Sequence, residues 1–60
     1  MKKSSILIVD DEESIRVSLD GFLKNKYYVQ TAKSGSIALE KLQNNHYDLI
    51  LSDIKMDDMN

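Results

Sequence analysis

Sixty residues carrying eight Lys/Arg against ten Asp/Glu, for a net charge of −2, make at most one small domain and leave no basic footprint for nucleic acid. The absence of cysteine excludes a disulfide framework and a Cys/His zinc site, and a chain this short buries only about 60% of the surface its unfolded state exposes. No apolar stretch approaches the ~20 residues of a membrane span, and Asp10 interrupts the run after Lys2-Lys3 before it can form a signal-peptide core, so a soluble, cytoplasmic chain is expected.

The first apolar run, Ile6-Leu7-Ile8-Val9, reads as a strand buried on both faces and ends at Asp10 and Asp11. Asp10 to Glu13 then supply acidic groups at a helix start, and Ile15, Leu19, Phe22 and Leu23 recur on one face, predicting an amphipathic helix to about Lys24. Asn25 and Lys26 close it. Tyr28 to Ala32 alternate in the manner of a half-buried strand at a sheet edge, and Lys33-Ser34-Gly35 is a turn. Ser34 or Ser36 caps a second helix through Leu42, with Ile37, Ala38, Leu39 and Leu42 on its buried side and Asn44-Asn45 ending it. Leu49-Ile50-Leu51-Ser52 is the third strand, again read as buried, and Asp53 follows it. Strand, helix, strand, helix, strand with short connections calls for parallel, right-handed crossovers.

Carboxylates just past the ends of two parallel strands emerge at the rim where ligands bind in open α/β folds. If the strands are neighbours, Asp10, Asp11 and Asp53 converge, and their repulsion calls for a cation, with Mg2+ the natural hard partner. Helix capping and attraction to the helix dipole compete as readings of Asp10 and Asp11, and a solvated turn residue competes for Asp53. Asp57 and Asp58 read as loop charges. His46 has no second His, Cys or spaced carboxylate to complete a metal set and reads as a surface or dipole residue, and Tyr27, Tyr28 and Tyr47 as packing at the core edge.

Three segments together carry a family likeness: Ile6-Leu-Ile-Val-Asp-Asp-Glu-Glu-Ser-Ile-Arg16, Ala32-Lys-Ser-Gly-Ser-Ile-Ala-Leu39 and Tyr47-Asp-Leu-Ile-Leu-Ser-Asp-Ile-Lys-Met56. In this order and spacing the chain resembles the receiver domain of two-component response regulators. Its Glu-Ser-Ile-Arg segment is reminiscent of receivers that head nitrogen-regulation-type transcriptional activators. The resemblance implies a flavodoxin-like, doubly wound parallel sheet, of which residues 1–60 would be the N-terminal βαβαβ half. It implies that Asp53 is the phosphoacceptor, taking a phosphoryl group from a histidine kinase or a small acyl phosphate. Asp11, Asp53 and the backbone carbonyl of Lys55 would hold Mg2+, with Asp10 acting through a bound water. The module would catalyse its own phosphorylation without being a turnover enzyme, and an output domain could follow in a longer protein.

The likeness has two departures. Asp57 stands where family members usually carry proline. A full receiver also has five strands, and the switch Ser/Thr and the phosphoryl-pairing Lys would lie beyond residue 60. An apolar third strand without a neighbour is an open edge, so self-association or poor folding of this length alone is expected, and a switch-incompetent structural fragment is the alternative function. A metal-dependent phosphohydrolase is disfavoured because Lys55 occupies the place of its usual second Asp.

Overall fold

A computed structural model describes residues 3–52. Within them the chain forms β1 (Ser5–Val9), α1 (Glu13–Leu23), β2 (Tyr28–Ala32), α2 (Gly35–Asn44) and β3 (Leu49–Ser52). The strands make one parallel sheet in the order β2-β1-β3, the expected first half of a doubly wound fold. β1 is central: it pairs with β2 from Ser5↔Tyr28 to Val9↔Ala32 and with β3 from Ile6↔Leu49 to Val9↔Ser52.

Because side chains alternate along a strand, β1 supplies two cores. Leu7 and Val9 form a buried cluster with Ala32 and Ala38, against which Ile37, Leu42 and Tyr47 pack, so this face belongs to α2. Ile6 and Ile8 turn to the opposite face, where Ile8 shares a cleft with Leu19, and Ile6 another with Leu23, both from α1. All four β1 apolar residues are buried, which explains an uninterrupted apolar run instead of an alternating one.

Ser34 is the residue that caps α2: its Oγ accepts from the Ile37 amide at 3.2 Å, while Ser36 lies inside the helix. Gly35, expected in a turn, is the first helical residue. The helix runs past Leu42 to Asn44, and the Asn44 and Asn45 side-chain amides donate to the Glu40 and Lys41 carbonyls at 3.0 and 3.1 Å, the second meeting one of the free carbonyls of the last turn.

Four expectations need correction. Phe22 is 80% exposed, because the inward stripe of α1 is centred on Leu19 and Leu23 and Phe22 falls beyond its rim. Leu39 is likewise exposed, on a side of α2 that no element covers among the described residues. Tyr28 is exposed at the β2 edge, where the Lys3 ammonium lies 5.6 Å from its ring centroid, in place of packing at the core edge. β3 is not buried: Leu49, Ile50 and Leu51 are 50, 45 and 37% exposed, in a strand that among the described residues pairs on one edge only. Among the described residues no helix is long and apolar enough to cross a membrane.

The end of the sheet opposite Asp10 is fastened by polar groups. The Ser5 amide donates to Asp48 Oδ2 at 2.8 Å, and the Asp48 amide donates back to the Ser5 carbonyl at 2.8 Å. The Ser5 hydroxyl reaches the His46 carbonyl at 3.2 Å and Asp48 Oδ2 at 3.3 Å, and His46 Nε2 stands 3.7 Å from Asp48 Oδ1. His46 is thus a surface residue. The bond from the Ser5 amide chiefly holds the Asp48 carboxyl below its ordinary value; desolvation opposes this, and the Ser5 hydroxyl and His46 reinforce it.

Two measurements follow from this architecture. With a lowered folded-state pKa, the stabilisation from ionised Asp48 is complete above the ordinary value of 3.8 and is lost as pH falls through the folded value. Asp48→Asn should therefore lower the unfolding midpoint near neutral pH, and the gap to the parent chain should close in acid. Gly21, inside α1, has nothing within 4 Å of where a Cβ would stand. Gly21→Ala should raise stability by about 0.5–1 kcal/mol in denaturant unfolding, through helix propensity alone.

Candidate functional site

The Val9↔Ser52 pair ends the β1–β3 ladder, so the residues after β1 leave the sheet at the same end as β3 does. Asp10 is the first of them. It is only 6% exposed, and with Ile8, Val9, Leu19, Leu51 and Ser52 it lines a cleft of about 200 Å³ between the strand ends and α1. This is the carboxyl-terminal crevice of the parallel sheet, the usual binding position in such folds.

Three atoms of Asp10 are fixed. Its amide donates to the Ala32 carbonyl at 3.0 Å, extending the β1–β2 ladder by one bond. Its Oδ1 accepts from the Glu12 amide at 3.0 Å, a side-chain turn that folds the chain back over the strand end. Its carbonyl accepts from Arg16 Nη1 at 2.7 Å. Among the described residues no hydrogen bond falls on Oδ2, which leaves one hard oxygen donor of a nearly buried carboxylate for a ligand.

Asp11 follows on the exposed side of the loop. Neither Asp caps α1 in the ordinary way: Glu12 occupies the N-cap position, its side chain makes no capping bond, and Asp10 bonds to the amide of Glu12 itself. Glu13, in the first turn, supplies the expected acidic group near the positive end of the helix.

Of the residues expected at the site, Asp10 and Asp11 are brought to the strand end together. Asp53 and Lys55 lie outside the described residues, as do Asp57 and Asp58. Among the described residues no three or more His, Cys, Asp or Glu side chains form a group that could hold a metal ion. The chemistry of the pair present nonetheless fits a hard divalent cation: two adjacent carboxylates, one with an uncommitted oxygen, beside an open cleft. Arg16, to which the sequence reading gave no role, is the addition. A cation six residues after Asp10 on the first turns of a helix was the available signal, but its reach back to the loop carbonyl is a property of the fold.

Because Asn also offers an oxygen at Oδ1, Asp10→Asn should keep the turn and cost less than about 1 kcal/mol, whereas Asp10→Ala orphans the Glu12 amide and should cost about 1.5–3 kcal/mol in urea unfolding.

Comparison with known proteins places the fold and the sequence in one family. Residues 6–60 match the response regulator receiver domain family. Histidine kinase P4 of Formosa agariphila is 43% identical over 58 residues, 97% of this chain and 4% of that protein. The response regulator protein VraR of Staphylococcus saprophyticus is 39% identical over 57 residues, 90% of this chain and 27% of its own. Among solved structures, the chemotaxis response regulator CheY4 of Vibrio cholerae superposes with a TM-score of 0.83 at 38% identity, over 85% of this chain and 43% of that one. The chain thus spans under a third of these two relatives and under half of the solved regulator. On sequence and fold alike, it belongs to the response regulator receiver domain family.

Proposed function

We propose that this chain is a phosphoacceptor signalling module of a two-component phosphorelay, with Asp53 receiving the phosphoryl group. The observation that carries the reading is the parallel Val9↔Ser52 pairing, since Asp10-Asp11 and Asp53 are the residues that follow those two partners in the sequence. In the reaction, a carboxylate oxygen of Asp53 attacks the phosphorus of a phosphohistidine on a partner kinase, or of an acyl phosphate. An O–P bond forms, the bond from phosphorus to the donor breaks, and the donor leaves with the electron pair.

Asp11, Asp53 and the Lys55 carbonyl are the proposed direct Mg2+ ligands, with Asp10 acting through water. Bound magnesium supplies charge neutralisation between the attacking carboxylate and the phosphoryl oxygens. The chain's own part is to hold Asp10 at the strand end by three bonds and to keep Asp11 turned outward. A kinase donor accords with the kinase named among the relatives. The reading makes the chain a signalling module, cytoplasmic and without turnover of a substrate, and leaves room for an output domain in a longer protein.

A second reading, self-association through β3, is favoured by the exposure of Leu49, Ile50 and Leu51 along a strand that, among the described residues, is paired on one edge only. In this reading the acidic loop is retained but does not switch.

Intact mass after incubation with magnesium and acetyl phosphate separates the two, with sedimentation run on the same sample. The phosphoacceptor reading expects a labile gain of one phosphate that is abolished in Asp53→Asn and by chelation of the metal. No gain, in a sample that sediments as an associated species, would reject it in favour of the second reading, and a dilute monomer would reject the second.

A further inference from the structure

The β1–α1 turn owes its shape to one side chain beyond its own. Arg16 Nη1 donates to the Asp10 carbonyl at 2.7 Å, shorter than any other side-chain hydrogen bond among the described residues, and the guanidinium is half-buried. Glu13 and Asp20, at the helical spacings where a cation is normally paired, line the same surface hollow as Arg16. Yet among the described residues Arg16 forms an ion pair with neither. A cation at this end of a helix also opposes the macrodipole, so helix stability does not explain its presence. Its side chain leans back toward the helix N-terminus, as long helical side chains do, and ends on the loop.

The carbonyl it holds has a particular leverage. The Asp10 carbonyl and the Asp11 amide belong to one planar peptide unit. Fixing the oxygen of that unit fixes the rotation of the peptide plane at Asp10, from which the Asp11 side chain departs. The Asp10 amide is already tied to β2 and its Oδ1 to Glu12, so the Arg16 bond removes the principal remaining freedom of the turn.

We infer that Arg16 is a positioning residue that orients the Asp10–Asp11 pair for magnesium without touching the ion. The inference rests on the phosphoacceptor reading. Two effects of the guanidinium oppose each other: its charge repels a cation, and its hold on the peptide plane pre-arranges the ligands. Residues that orient metal ligands from behind typically account for 10–100-fold in affinity, and here orientation outweighs repulsion.

The test is calorimetric titration of the full chain and of Arg16→Ala, Arg16→Lys and Asp53→Asn with magnesium chloride, alongside amide hydrogen exchange at Glu12 in metal-free buffer. Arg16→Ala should bind magnesium about tenfold more weakly and exchange the Glu12 amide faster, while the β2 amides keep their protection. With acetyl phosphate, its half-saturating magnesium concentration should rise by a similar factor and its rate at saturating magnesium should return to that of the parent. Arg16→Lys, which keeps a charged donor, should recover part of the affinity. Unchanged or tighter magnesium binding in Arg16→Ala would overturn the inference, as would unchanged Glu12 exchange. Failure of the parent chain to bind magnesium, or binding untouched by Asp53→Asn, would instead count against the phosphoacceptor reading. The Glu12 amide would then still decide whether Arg16 holds the turn.

Discussion

β1 is hydrogen-bonded along both edges and packed on both faces, and the other elements take their places from that constraint. A strand with no free side must be apolar throughout, and Ile6 to Val9 are. From β1 the chain crosses to β2 by way of α1, then returns over β1 to β3 by way of α2. Right-handed crossovers in opposite directions put the two helices on opposite faces. The reversal occurs beside β1, so the crevice between the ends of β1 and β3 opens where the chain passes abruptly from Val9 to Asp10. The cleft and its acidic edge are therefore products of topology before they are products of any particular side chain.

Within that frame the loop organises its own charges. Asp10 is nearly buried, a costly position for a carboxylate, and its Oδ1 is compensated by the Glu12 amide. Asp11 keeps its hydration. Adjacent residues thus occupy different environments, one hydrogen-bonded and nearly buried and the other exposed to solvent. That asymmetry suits a division of labour between an indirect and a direct metal contact, which is how the proposed mechanism uses them.

Much of this was legible in the residues because the physics involved is local. Tyr28–Ala32 emerged as a strand with the expected bounds, and Ser34 as a cap, since strand patterning and capping depend on neighbours in sequence. The burial of β1 on both faces and the edge position of β2 were read from their apolar patterns, and the sheet order bears out the edge. What escaped depends on what lies across space. Periodicity could group Phe22 with Leu19, but only the position of the sheet decides where the inward stripe ends, and it ends before Phe22. The open edge of β3 was expected, but not that both faces of Leu49, Ile50 and Leu51 would stay partly exposed, because coverage by a helix is not encoded in a strand's own composition. Arg16 escaped for the same reason: nothing in its spacing says that a guanidinium will settle on a carbonyl and not on Glu13 or Asp20.

The reciprocal bonds between Ser5 and Asp48 act as an end-stop for alignment. Side chains alternate with a period of two, so sliding β3 by one residue against β1 would send Leu49 and Leu51 to the α2 face and Ile50 to the α1 face. Such a shift conserves most of the ladder and exchanges one apolar residue for another, which makes the ladder a poor judge of its own alignment. Asp48 is not interchangeable with its neighbours: a slip by one residue would present Tyr47 or Leu49 to the Ser5 amide, and neither carries a carboxylate to receive it. A polar contact at the far end of the sheet thereby decides which residue of the third strand arrives beside Val9, and so meters how much chain is left when the strand reaches the acidic rim.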